Sequence, residues 1–219
     1  STRGMVVTYQ GRLISSCYHS CCGGATASSD QVWSGGGHPY LEGVACGFCA
    51  ESPHYSWEYR IDKDRLVRML NDAGIKCGPE ISMEVLETDA AGRAKAVRIN
   101  GEIVASGKLR QIVGNTKLYS SFFRIFEKEP EYTAMGNLSL EEKVNRIIAR
   151  YESEFRSDSA KEFIFTGSGN GHGVGLCQWG ASGMANQGHT FQEILTKYYK
   201  GTKVEKYTPR HNAQQLVKR

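Results

Sequence analysis

Ile81-Ser82-Met83-Glu84-Val85-Leu86-Glu87-Thr88-Asp89-Ala90-Ala91-Gly92-Arg93-Ala94-Lys95-Ala96-Val97-Arg98-Ile99-Asn100-Gly101-Glu102-Ile103-Val104-Ala105 reads as a run of strands broken in two places. The first break is Asp89–Gly92. The second is Asn100-Gly101, a dipeptide whose two residues accept the positive φ of a tight hairpin turn. Strands joined so closely pair antiparallel, because a parallel pair needs a crossover of a dozen residues or more.

Helices flank this run. Upstream, Asp62 is placed to cap a helix in which Leu66, Met69 and Leu70 recur at helical spacing and which Gly74 stops. Downstream, Ser106 begins a short helix through Lys108–Val113, and Phe122-Phe123-Arg124-Ile125-Phe126 is another strand. Near the start, Met5–Tyr9 and Arg12–Tyr18 flank Gln10-Gly11 as a hairpin. Ser139-Leu140-Glu141-Glu142 matches a capping box. It opens a long packing helix with Leu140, Val144, Ile147, Ile148, Tyr151 and Phe155 on one face. Phe163-Ile164-Phe165 enters a glycine run, and a second capping box, Thr190–Glu193, opens a helix to Tyr199 that Gly201 ends. Strands and helices without regular alternation predict an α+β fold of mixed, mostly antiparallel strands with several helices packed around them. Residues 1–219 read as one domain. A polar stretch containing Pro130 marks a possible lobe boundary near 127–138.

The bulk composition narrows the classes of function. With 40% hydrophobic and 23% charged residues among 219, the chain buries a core and is not disordered. The net charge of +4 is spread out. It suits an anionic partner such as cell wall, or plain solubility, and gives no basic tract for nucleic acid. No apolar run is long enough to span a bilayer. No basic–apolar leader opens the chain, so a leader or an upstream region has been removed, or the natural start is unusual. Seven cysteines, an odd number, cannot all form intramolecular disulfides.

Three segments carry the chemistry. Gly171-His172-Gly173-Val174-Gly175-Leu176-Cys177-Gln178-Trp179-Gly180-Ala181-Ser182-Gly183-Met184-Ala185 surrounds a histidine with glycines. That pattern lets backbone approach a ligand or another loop, with amides available to sugar or carboxylate oxygens. The alternative is a tight turn holding a structural histidine. No Lys-Ser/Thr follows, so this is not a phosphate loop. Tyr18-His19-Ser20-Cys21-Cys22-Gly23-Gly24-Ala25-Thr26 reads as a polar cleft wall. Neighbouring side chains on a strand point to opposite faces, which makes a His19–Ser20 nucleophile pair awkward. Cys46-Gly47-Phe48-Cys49 has zinc or redox spacing. Pro53 argues against the helix that thioredoxin-like redox chemistry needs, so zinc leads. Its ligands would be Cys22, Cys46 and Cys49 with either His19 or His54. The alternative is a Cys46–Cys49 or Cys22–Cys46 disulfide, which is natural outside the cytoplasm. Cys77 and Cys177 read as buried thiols.

The two longer segments together resemble the stage II sporulation protein D / amidase enhancer family. The matching blocks are His19-Ser20, Cys22-Gly23-Gly24, Thr26, Val32-Trp33 and Pro39-Tyr40-Leu41, then Gly171–Gly175, Gln178–Ala181 and Gly183–Ala185. The closing Ile194-Leu195, Tyr198-Tyr199 and Gly201-Thr202 are similar too. The resemblance covers most of the chain, with Glu127–Ser159 the least family-like part. It implies an extracytoplasmic lytic transglycosylase that cuts between N-acetylmuramic acid and N-acetylglucosamine, leaving anhydro-muramyl ends. One glutamic acid with a raised pKa does this chemistry. The family's catalytic glutamate is expected upstream of residue 1, and so are the zinc ligands of some members; Glu42 and Glu51 read as solvated carboxylates. The implied role of this chain is a cleft wall in which His19, Ser20, Thr26, His172 and Gln178 bind sugar, with Trp33 or Trp179 stacking on it; the alternative is that each is a core or turn residue, and for Trp33 and Trp179 the core reading leads. The alternative implied role is a non-catalytic glycan-binding module that assists a cell-wall amidase.

Overall fold

The computed structural model describes residues 2–128 and 162–207. The fold is α+β. β1 (Met5–Tyr9) turns through Gln10 and Gly11, at φ 50° and 73°, into the short β2 (Arg12–Leu13). The hairpin ends at Leu13 rather than running to Tyr18. β3 (Tyr18–His19) is a separate strand with a different partner. The short helix α1 (Ser29–Val32) and a 3-10 turn at Pro39–Leu41 follow.

β4 (Trp57–Asp62) leads directly into α2 (Lys63–Asp72), where the Asp62 carboxylate accepts from the Arg65 amide at 2.9 Å. α2 buries Leu66 and Leu70, and Gly74 follows its end at φ 84°. β5 (Met83–Thr88), β6 (Ala94–Ile99) and β7 (Glu102–Ala105) form an antiparallel meander, turning at Asn100 (φ 47°) and Gly101 (φ 87°). α3 (Ser106–Val113) follows without a side-chain cap. Ser106 begins it, as expected, and its hydroxyl donates to the Ala94 carbonyl at 2.6 Å.

β9 (Glu162–Gly167) lies between β4 and β8 (Phe123–Lys128) and pairs antiparallel with both. β10 (Leu176–Cys177), α4 (Gln178–Asn186), α5 (Phe191–Tyr198) and β11 (Lys203–Lys206) complete the described chain. The capping box at Ser139 and the helix expected after it lie outside the described residues, as does most of the expected lobe boundary.

The core is divided. Leu66 and Leu70 of α2 and Leu109 and Val113 of α3 pack with Val97, Ile99, Phe123, Phe163 and Phe165 from two three-stranded sheets. A second cluster gathers Cys21, Cys22, Cys46, Cys49 and Cys177 with Met184, Ile194 and Tyr198. A third holds Ala27, Tyr40, Leu41, Val174 and Tyr199. The second and third lie along the seam where the two motif segments meet.

Candidate functional site

β3 and β10 are the one parallel strand pair among the described residues, with Tyr18 opposite Leu176 and His19 opposite Cys177. Further backbone bonds extend this contact in both directions. Leu176 N donates to Cys17 O at 3.0 Å, and Trp179 N to Ser20 O at 3.0 Å. Cys21 and Asn170 exchange bonds of 3.1 and 2.7 Å, and Ala27 N reaches Gly173 O at 2.9 Å. Residues 17–27 are thus zipped to residues 170–179. Glycine makes this closeness possible: a side chain on Gly175, at φ 73°, would strike the Cys17 carbonyl oxygen.

The seam brings the His19 and His172 rings to 5.7 Å, and the Trp33 ring to 5.1 Å from His172. The expected sugar-binding residues differ in how they are used. His19 is 4% exposed. Its Nδ1 donates to the Val174 carbonyl at 3.1 Å, its Nε2 has no partner, and burial pulls its pKa down to about 4. Thr26 is buried, and its hydroxyl accepts from the Val44 amide at 2.8 Å. His172 is half-buried, with Nδ1 accepting from the Val174 amide at 3.0 Å; burial lowers its pKa, and a backbone hydrogen bond to Tyr18 works against that. Ser20 is half-buried and Gln178, the first residue of α4, is exposed. Three aromatic side chains of these segments stay open to solvent: Tyr18 (62%), Trp33 (39%) and Trp179 (36%). Glu42 and Glu51 are exposed, and Glu42 lies 3.5 Å from Lys200 Nζ.

Beneath the seam lies a metal-ligand constellation. The sulfurs of Cys22, Cys46, Cys49 and Cys177 all fall within 4.8 Å of one another, and all four residues are buried. Cys22 and Cys49 Sγ are 3.5 Å apart. The fourth member is Cys177. His19, expected in that place, is turned toward the Val174 carbonyl, and the ring of His54, the other expectation, lies tilted at 33° to that of Tyr119 with centroids 4.3 Å apart. All seven cysteines are free thiols here, with no disulfide. Donors surround the sulfurs: Cys177 Sγ accepts from the Cys22 and Gly180 amides at 3.3 Å each, and Tyr198 Oη lies 3.1 Å from Cys46 Sγ. Hydrogen bonding, first from Cys177, holds the Cys46 thiol far below its ordinary range, while its neighbours push Cys177 up.

Sulfurs about 2.3 Å from a tetrahedral zinc are about 3.8 Å from one another, so the observed cluster needs little adjustment to hold such an ion. Amide donors to sulfur are the supporting contacts such sites use. Cys177 lies far from the Cys46-x-x-Cys49 pair in sequence. Only the pairing of β3 with β10 reveals its membership.

No family model matches the chain. Three curated proteins are similar to it along nearly all its length. An uncharacterised protein of Brachyspira hyodysenteriae is 28% identical over 206 residues, covering 94% of this chain and 47% of that protein. The amidase enhancer of Bacillus subtilis is 28% identical over 231 residues, covering 94% and 32%. Stage II sporulation protein D of Bacillus subtilis is 24% identical over 205 residues, covering 93% and 49%. The chain therefore spans half or less of the relatives it matches. These similarities support the kinship with the sporulation protein D and amidase enhancer family that the motif blocks suggest. No described helix is long and apolar enough to cross a membrane.

Proposed function

We propose that this chain forms the sugar-binding wall of an extracytoplasmic lytic transglycosylase acting on peptidoglycan glycan strands. The observation that carries the reading is the seam itself. The two family-like segments, more than 140 residues apart, are hydrogen-bonded side by side and leave Tyr18, Trp33 and Trp179 open beside Ser20, His172 and Gln178. Exposed aromatic rings next to polar side chains suit sugar, which offers an apolar ring face and a rim of hydroxyls. His19 and Thr26 then act from beneath, by fixing the backbone that carries the binding groups. The reaction implied by the resemblance is cleavage between N-acetylmuramic acid and N-acetylglucosamine. In it, a buried carboxylic acid protonates the glycosidic oxygen and the muramyl 6-hydroxyl closes the anhydro ring.

The four-cysteine cluster belongs to the same proposal as a zinc site of structural type. Four thiolates fill a tetrahedron and leave no position for water or substrate. Such an ion supplies rigidity, by joining the Cys22 loop, the Cys46–Cys49 loop and the start of α4.

A second reading, favoured by the similarity to an amidase enhancer, is a glycan-binding module that assists a separate cell-wall amidase. Incubation with peptide-free glycan strands, followed by mass analysis of the products, separates the two. Anhydro-muramyl ends support the transglycosylase. Strand binding without them, together with faster wall cleavage by an added cell-wall amidase, supports the module, and the absence of both anhydro ends and strand binding removes the glycan reading.

A further inference from the structure

A cavity of about 560 Å³ lies at one end of the β4–β9–β8 sheet, where Trp57, Gly167 and Phe123 pair across the three strands. Ligand sites commonly measure about 300–1,000 Å³. None of the residues expected to bind sugar lines this one, so it is separate from the surface at the seam.

Two half-buried aromatic side chains, Trp57 and Phe122, stand in its wall, and both are held in place. Trp57 Nε1 donates to the Gly169 carbonyl at 2.9 Å, and its ring lies so close over Gly167 that any side chain there would run into it. The Arg93 guanidinium carbon is 5.2 Å from the centre of the Phe122 ring, and a side chain on Gly92 would come within 3.3 Å of the same ring. Rings already fixed lose little freedom when a ligand packs on them.

The rim around the rings is polar. Ser56 and Arg124 are exposed, and Thr166 and Ser168 are half-buried. Among the described residues, nothing pairs with the Arg124 guanidinium or with the hydroxyls of Ser56, Thr166 and Ser168. Glu58, in register with Arg124 across Thr166, is taken up by Arg60 at 2.8 Å. An N-acetylated sugar matches this wall group by group. Its ring face and acetamido methyl are apolar, its acetamido carbonyl accepts from a guanidinium, and its hydroxyls donate to and accept from serine and threonine. The place suits a polymer as well. The chain leaves the cavity at Ser168 and enters the seam at Asn170, which exchanges backbone bonds with Cys21.

We infer that this cavity is a further subsite for an N-acetylated pyranose, set apart from the seam. The inference rests on the glycan reading and extends it: a glycan strand meets this chain at the seam and again at the Trp57–Phe122 wall.

The test titrates the folded chain with a hexamer of β-1,4-linked N-acetylglucosamine and with cellohexaose, which has the same linkage without acetamido groups, following amide shifts by NMR. The N-acetylglucosamine hexamer is expected to shift Ser56, Gly167 and Ser168 as well as His172 and Gln178. Cellohexaose should bind the Trp57–Phe122 wall about tenfold more weakly, the worth of one hydrogen bond to a charged group. Arg124→Ala changes an exposed side chain. It should weaken the binding read at Gly167 and Ser168 about tenfold, keep the melting temperature, and leave the shifts at His172 and Gln178 in place. Phe122→Leu keeps apolar bulk against Arg93 and should weaken the same binding by removing the ring face. Shifts confined to His172 and Gln178, equal binding of the two hexamers at the wall, or wild-type binding by either variant overturns the subsite and leaves the glycan reading standing. No shift at any of these amides with either hexamer would remove the glycan reading along with it.

Discussion

His172 shows how one side chain serves the seam. Its Nδ1 accepts a backbone amide two residues on, so the proton of the neutral ring sits on Nε2. A protonated ring cannot accept at Nδ1. Burial lowers the folded-state pKa below 6.5, so the unfolded chain binds the proton more readily. This contribution to stability is complete above the ordinary histidine pKa and is lost as pH falls below it through the lowered value. Denaturant unfolding at stepped pH should show declining stability from about pH 6.5 downward. His172→Gln should lessen that decline and leave the part that belongs to His19, whose pKa burial pulls down to about 4, and a pH profile unchanged by the substitution would remove His172 from this role. Gly180 is another residue whose identity is set by its neighbours, since a side chain there would strike both Tyr198 Oη and Cys46 Sγ.

At the scale of elements, α2 is the simplest to test. Its cap accepts a single amide bond from Asp62, so Asp62→Ala should cost about 1 kcal/mol in a denaturant melt and leave glycan binding unchanged. α2 also shows what the amino-acid pattern makes legible. Its cap, its apolar stripe and its stop are local, and so are the Asn100-Gly101 turn and the Thr190 capping box, which forms with both reciprocal bonds. α4 was not legible, because Gly180 and Gly183 argue against a helix. They are tolerated because Tyr198, Cys46 and the Phe48 backbone come too close for any larger residue. β4 carries a legible pattern, since Trp57, Tyr59 and Ile61 alternate with polar residues at strand period. The β3–β10 pair has two residues per strand and its partners lie far apart, so no local pattern announces it. The place of Cys177 among the four sulfurs depends on that pair.

Across the whole molecule, the small sheets are joined at the seam by buried groups rather than by one continuous core. Arg93 ties the β5–β6–β7 meander to the carbonyls of Cys22 and Ala25, and the four cysteines tie three separate segments to one point. A metal held only by the folded chain stabilises it by mass action, by about 4 kcal/mol when free metal exceeds its dissociation constant a thousandfold. Zinc added to chelator-treated protein should therefore raise the unfolding free energy by about that much, and Cys177→Ser should abolish most of the gain while His19→Gln leaves it in place. A zinc response lost with His19→Gln but kept with Cys177→Ser would contradict the four-sulfur set. The central claim is that the zipped segments present one glycan-binding surface, and co-sedimentation with peptide-free glycan strands tests it most directly. The wild-type chain should sediment with the strands, and Trp33→Ala combined with Gln178→Ala, both exposed positions, should weaken that binding about tenfold with the melting temperature unchanged. A wild-type chain that stays in the supernatant, or a double variant that binds as well as wild type, would contradict the account.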